Sequence, residues 1–218
     1  MALQPHLVAL ILLAALTHAT WNTLVKTSGD DRFLTMVFVV GVGTVLGIPL
    51  IPFVSAPHPE SWPYLLASTL IHNGYYVFLI MAYRVGDLSQ VYPLARGTAP
   101  LLVAFLAAYF AGETLGAGGM VGVALVSIGI VSLMFVGGIP RGDAQKPIIL
   151  ALGTSVFIAA YTIVDGLGMR VAGPPLGYIL WLNIFEGIPF IIAAYFLRKR
   201  HNVDGFFQRR WKVGLAGG

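Results

Sequence analysis

"GIPLI" at residues 47–51 returns as "GIPFI" at residues 187–191, and the register that superimposes the two blocks decides how the chain is organised. The same shift, 187 minus 47, brings Trp21 onto Tyr161, and Leu10 and Leu12 onto Leu150 and Leu152, without a gap. Both blocks lie inside long apolar runs. An internal repeat is therefore expected, with a first copy over residues 1–138, a linker over 139–146 and a partial second copy over 147–218.

Composition identifies the solvent of these copies. Hydrophobic residues make up 57% of the chain and charged residues only 10%, where soluble domains carry about 25% charged residues. Apolar runs of about 20 residues, enough for one helix to cross a bilayer, lie at roughly 4–25, 33–54, 62–83, 89–111, 117–137, 147–169 and 176–197. The 26 glycines and 13 prolines fit this reading, because both are tolerated in membrane helices whose neighbours satisfy the freed backbone groups. No Lys or Arg precedes the first run, which reads as a permanent span rather than a cleaved leader. Turn chemistry is clearest in "APHPESWP" (56–63) and in "GGIPRGDAQKP" (137–147), the second marking the linker.

Seven spans and no soluble domain make this an all-α polytopic membrane protein. Five spans, an odd number, precede the linker, so the second copy enters the membrane from the opposite face. The expected fold is a helical bundle of two inverted five-helix repeats with the second incomplete. Such duplications build secondary transporters, whose substrate site lies between the halves near the midplane. Past residue 197 comes a basic stretch, "RKRHNVDGFFQRRWK", and "WKVGLAGG" (211–218) restarts where "WPYLLAS" (62–68) opens the third span. Val213 to Gly218 cannot cross a membrane at about 1.5 Å per residue. Three further spans are expected beyond it, and the chain reads as a fragment or a truncated frame.

Of the 13 Lys and Arg residues, all but Arg96 and Arg170 lie in loops that follow odd-numbered spans. The positive-inside rule then puts those loops in the cytoplasm and the N-terminus outside. The basic pI near 9.5 is thus topological, and nucleic-acid binding is rejected. With no cysteine there is no disulfide or thiol chemistry. His18 and His72 lack further ligands at metal spacing, so no metal site is expected. No cofactor is expected either: "GVGTVLG" (41–47) places its glycines in a span, and no phosphate-binding GxGxxG exists. An enzyme is disfavoured for want of a nucleophile with its base or a carboxylate pair.

Three stretches carry a family resemblance: "HATWNTLVK" (18–26), "AYRVGDLSQVYPLARGTAPLLVAFLAAYFAGETL" (82–115) and "AAYTIVDGLGMR" (159–170). They resemble the EamA-type transporters of the drug/metabolite transporter superfamily. The resemblance implies ten helices in two inverted five-helix repeats, carrying small organic metabolites across the cytoplasmic membrane of a bacterial cell, often outward. It also implies both termini in the cytoplasm, against the charge count. The alternative is a non-transporting truncated product that only assembles with a partner half or is a remnant.

Candidate binding residues are the polar groups at bilayer depth. A charge there costs at least about 2.5–3.5 kcal/mol and normally faces a partner or a water-filled cavity. Glu186, at the centre of the seventh span, is the first candidate, for a cationic group or a proton; the bland reading is an interhelical ion pair. Asn183 lies one turn earlier on the same face. Arg96 stands between Pro93 and Pro100, which are expected to kink or interrupt their helix, and it could hold an anionic group with Tyr92 one turn away. Its bland reading is neutralisation of Glu186 or Asp165. His72 and Tyr76, with Asn73 and Tyr75, crowd the third span and suit an amino-acid-like or aromatic solute; the bland reading is packing.

His18, Asn22 and Lys26 share one face of the first helix, with Trp21 and Lys26 expected to anchor at the interface. His18 and Asn22, lying deeper, are expected on a cavity wall. Glu113 reads as a helix-boundary residue and Asp165 as interfacial. Gly118 and Gly122 form a GxxxG pair suited to close packing or a homodimer. The expected partners are a small-molecule substrate, membrane lipid and a coupling proton.

Overall fold

The computed structural model describes residues 5–29, 32–112, 115–132 and 142–197. Glu113, residues 139–141 of the expected linker and the stretch from residue 198 onward lie outside the described residues. Among the described residues seven α-helices follow one another: α1 (Pro5–Thr27), α2 (Arg32–Gly47), α3 (Trp62–Val85), α4 (Leu88–Phe110), α5 (Ala117–Ser132), α6 (Lys146–Val171) and α7 (Pro175–Leu197). Six helical segments are long and apolar enough to cross a membrane, the second of them formed by α2 together with the 3-10 turn Ile48–Phe53. α5 is apolar but shorter within the described residues. There are no strands among those residues. The chain is a multi-pass helical membrane protein.

Two contacts sort the helix ends onto two faces. Lys26, in the last turn of α1, donates to the carbonyls of Tyr83 and Gly86 at the end of α3, and lies 3.9 Å from Asp87. The His58 amide donates to the Ala172 carbonyl at 3.0 Å, joining the α2–α3 and α6–α7 connections on the other face. The first face also carries Arg32 and Lys146 at the starts of α2 and α6, and is called the basic face below.

α6 packs along α3 and α4, while α7 packs against α2 and α3. Glycines allow the close approaches. The aromatic ring of Phe157 on α6 fills the space over Gly74 of α3, and Phe78 of α3 fills the space over Gly153 of α6. At the α2–α7 crossing a Cβ on Gly187 would collide with the Thr44 hydroxyl and the Val40 carbonyl. Thr44 uses that proximity to donate toward the Asn183 and Ile184 carbonyls at 3.1 and 3.3 Å. α1 lies against α2 and α3 and turns Leu10, Ile11, Leu12, Leu13 and Leu16 outward.

α4 departs from expectation. It remains helical throughout despite Pro93 and Pro100, so neither proline interrupts it. A proline's fixed φ is itself helical, and each one removes only the hydrogen bond to the carbonyl four residues back, here Ser89 and Arg96. The apolar face with Val91, Leu94, Ala95, Gly97 and Ala99 is buried, and that packing holds the helix together across both gaps.

Candidate functional site

Five helices converge on a cavity of about 240 Å³ at mid-depth, lined by His18 and Trp21 of α1, Val39, Val40 and Gly43 of α2, His72, Tyr75 and Tyr76 of α3, Tyr161 of α6, and Asn183 and Glu186 of α7. Glu186 is 9% exposed. Tyr76 Oη donates to its Oε2 at 2.6 Å, and His72 Nε2 stands 3.5 Å from its Oε1. The Tyr161 ring stacks on His72 with centroids 3.8 Å apart, and Tyr75 meets Tyr161 edge-on.

Proton positions follow from which atoms can donate. His72 Nδ1 lies 3.0 Å from both the Ser68 hydroxyl and the Ser68 carbonyl; the carbonyl can only accept, so the tautomer that satisfies it carries its proton on Nδ1. One further proton then fits between Nε2 and Oε1, and with it the His72–Glu186 pair is neutral overall. Without it the pair carries one negative charge. On the opposite wall the Trp21 indole N–H, a donor only, points at His18 Nδ1 at 3.1 Å. That nitrogen must accept, so the His18 proton sits on Nε2, a buried atom without a protein partner. The cavity therefore offers an unused N–H donor, an acidic pair and aromatic walls.

Of the residues expected at the site, the structure brings His18, His72, Tyr76, Asn183 and Glu186 to this one cavity. Asn22 is elsewhere. It is 1% exposed and accepts from Tyr83 Oη at 2.7 Å, tying α1 to α3. The division at the end of α1 thus differs from expectation: His18 and Trp21 face the cavity, whereas Asn22 and Lys26 hold α3. Trp21 is buried rather than interfacial, because the α1 face that carries it turns inward against α2 and α3. Lys26 does not reach for water but caps the α3 carbonyls, which a cation at a helix C-terminus satisfies.

Arg96 lines a different, apolar groove of about 660 Å³ with Ala99, Pro100, Val103, Val123 and Ile158 among its walls. Its Nη2 lies 3.4 Å from Tyr75 Oη, and Tyr161 and Tyr92 are its other polar neighbours. Among the described residues Arg96 forms no ion pair; neutralisation by Glu186 or Asp165 is not how it is held. Tyr92 stays near Arg96 and off the cavity wall. Asp165, partly exposed and within two turns of the end of α6, accepts from Tyr178 Oη at 3.0 Å and so ties α6 to α7. Trp21 and Tyr161 were paired in the repeat register, but only packing places both on one cavity. Among the described residues no cluster of three metal-ligating side chains occurs.

A model of the EamA-like transporter family matches residues 7–135, more than half of the chain. The chain belongs to that family. No curated protein and no solved structure matches it. The matched segment of this EamA-like chain runs from α1 through the described end of α5, and thus supplies eight of the cavity's wall residues before α6 and α7 close it: His18, Trp21, Val39, Val40, Gly43, His72, Tyr75 and Tyr76. This EamA-like protein is accordingly a membrane transporter of the drug/metabolite type.

Proposed function

We infer that this transporter carries small amine-bearing metabolites, amino-acid-like in size and often aromatic, through the cavity at Glu186, driven by an ion gradient, most simply of protons. The observation that carries this reading is the pairing of Glu186 with His72 at mid-depth beside an unpartnered His18 N–H. A zwitterion fits that polarity, its ammonium toward Glu186 and its carboxylate toward His18 Nε2. The walls of Trp21, Tyr75, Tyr76 and Tyr161 suit an aromatic or apolar side chain. At about 240 Å³ the space lies below the usual range of roughly 300–1,000 Å³ for drug-sized ligands, which favours small solutes. A cation and the shared proton compete for the same pair, and competition of that kind is the simplest form of proton-coupled exchange.

The test is uptake of radiolabelled aromatic amino acids and aromatic amines by proteoliposomes under an imposed pH gradient. Uptake is expected to collapse when the gradient is dissipated and to be lost in Glu186→Gln. Gradient-independent uptake, or unchanged uptake in Glu186→Gln, discards the reading.

A further inference from the structure

Arg96 is the second charge at bilayer depth, and the Glu186 cavity does not use it: no residue lines both that cavity and the Arg96 groove. Arg96 stands eight residues along α4 from Leu88 at the basic face, about 12 Å, and so inside the hydrocarbon layer of roughly 30 Å. Its polar neighbours are Tyr75, Tyr92 and Tyr161, whose neutral hydroxyls offset none of its charge. No acidic side chain lines the groove among the described residues. The groove follows one stripe of α4 from Arg96 through Val103 and Ala104 to Ala107, with Val123 of α5 and Ile158 of α6 as side walls. The 11 residues from Arg96 to Ala107 make it about 16 Å long. At the Arg96 end α5 presses on α4, with Ile130 so close over Gly97 that an added Cβ would collide. Ser127, one turn from Val123 in the direction of Ile130, is fully buried, and its hydroxyl has no hydrogen-bond partner among the described residues.

We propose that this groove binds a straight-chain monocarboxylate of about a dozen carbons, its carboxylate on the Arg96 guanidinium and its tail laid along α4 toward Ala107. The length follows from the groove: an extended chain covers about 1.2 Å per bond, so 16 Å holds about 13 bonds. Charge complementarity selects the head. A guanidinium in hydrocarbon is costly unless it faces a partner, and a carboxylate matches its planar fork with two parallel hydrogen bonds. The unused Ser127 hydroxyl is a further donor on the α5 side. The tail adds fit rather than driving force, because lipid chains outside the groove are as apolar as its walls. Discrimination therefore rests on the charge of the head.

Depth and size decide against two other occupants. A phospholipid phosphate belongs to the headgroup layer outside the hydrocarbon, so a lipid would lay an acyl chain against the guanidinium and leave its charge unpaired. A helix 10–12 Å across fills roughly 1,300 Å³ or more over 16 Å, about twice the groove's volume of about 660 Å³. This second site is independent of the amine-carrier reading, although Tyr75 lines the Glu186 cavity and also meets Arg96.

Equilibrium binding of radiolabelled dodecanoate to the full chain in phosphatidylcholine nanodiscs, corrected for uptake by empty discs, tests the site. Saturable binding of one dodecanoate per chain is expected, displaced by unlabelled dodecanoate but not by dodecanol, which has the same tail without the charge. Arg96→Gln is expected to weaken binding at least about tenfold, the scale of one charge-assisted contact, and Arg96→Lys to recover part of it. Ala104→Phe, which puts bulk about 12 Å along the groove, is expected to shift the preference from dodecanoate to octanoate, a change that a merely destabilised chain would not show. Absence of saturable binding, equal competition by dodecanol, unchanged affinity in Arg96→Gln or an unchanged chain-length preference in Ala104→Phe overturns the assignment. So does displacement by phosphatidylglycerol in the discs, which would make the occupant a lipid headgroup, or a Val103→Cys disulfide between two copies in membranes, which would make it a second chain. The carrier reading fails on a different result: no gradient-driven amine flux in an unaltered chain that still binds dodecanoate.

Discussion

Glu186 and Arg96 are both charged groups at bilayer depth, yet their surroundings separate their roles. Glu186 has a tyrosine, a histidine and a cavity before it. Arg96 has tyrosine hydroxyls and an apolar groove. Glu186→Gln is therefore expected to abolish gradient-driven flux at normal expression, whereas Arg96→Ala is expected to reduce it by loosening Tyr75 and Tyr161; flux in Arg96→Lys well above that in Arg96→Ala would support the positioning role. Tyr76→Phe removes the shortest hydrogen bond to Glu186 and should alter proton competition before it alters expression, measured as the pH dependence of solute uptake. Asn22 belongs to a different account. Removing it leaves the Tyr83 hydroxyl unpaired, at about 1 kcal/mol on the scale of interhelical hydrogen bonds in membranes, so Asn22→Ala should lower thermal stability in detergent while the remaining folded protein still transports.

At the scale of the helices, small residues set the distances. Gly187, next to Glu186, is pressed against Thr44 and the Val40 carbonyl. Gly187→Ala would force α2 and α7 apart at an expected cost of about 1–3 kcal/mol for overpacking, and should impair both folding yield and flux, whereas Gly166→Ala, with open space around it, should change neither. Gly118 and Gly122 likewise have nothing within 4 Å of an added Cβ. Their face of α5 is free within the described residues, and the homodimer proposed for it is checked by cysteine cross-linking across Gly118→Cys, which should trap a dimer in membranes if the proposal holds. The α4 prolines show the limit of local rules: each deletes one hydrogen bond, and burial of the opposite face keeps the helix continuous.

For the whole molecule, alternating helix direction places Asp87 and Glu60 on opposite faces. Single cysteines at these two positions should react with an impermeant maleimide from opposite sides of sealed vesicles, and labelling of both from one side would contradict the arrangement. The same experiment reports orientation, for which the basic loops predict a cytoplasmic Asp87 side. The proposed two-copy organisation predicts that α1, most of whose apolar face points outward, is the counterpart of α6, which lies embedded against α3 and α4.

Spans, their order and their membrane environment were legible in the chain because hydropathy over about 20 residues is a local property that a bilayer reads directly. The family resemblance and the presence of Glu186 as a charge at depth were legible for the same reason. Which polar groups meet was not. His18 and Asn22 are one turn apart on one helix, yet one faces the cavity and the other a tyrosine on α3, since a helix only 11% buried over its span is read by whichever neighbour touches each strip of its surface. Arg96 was read either as holding an anionic group or as neutralising Glu186 or Asp165, but α4 packs on α6 by a face that turns the guanidinium toward tyrosines. The sequence alone determined a membrane-embedded helical transporter; tertiary packing decided that Glu186 meets His72 and Tyr76, because side chains more than a hundred residues apart come together only once glycines have let their helices close.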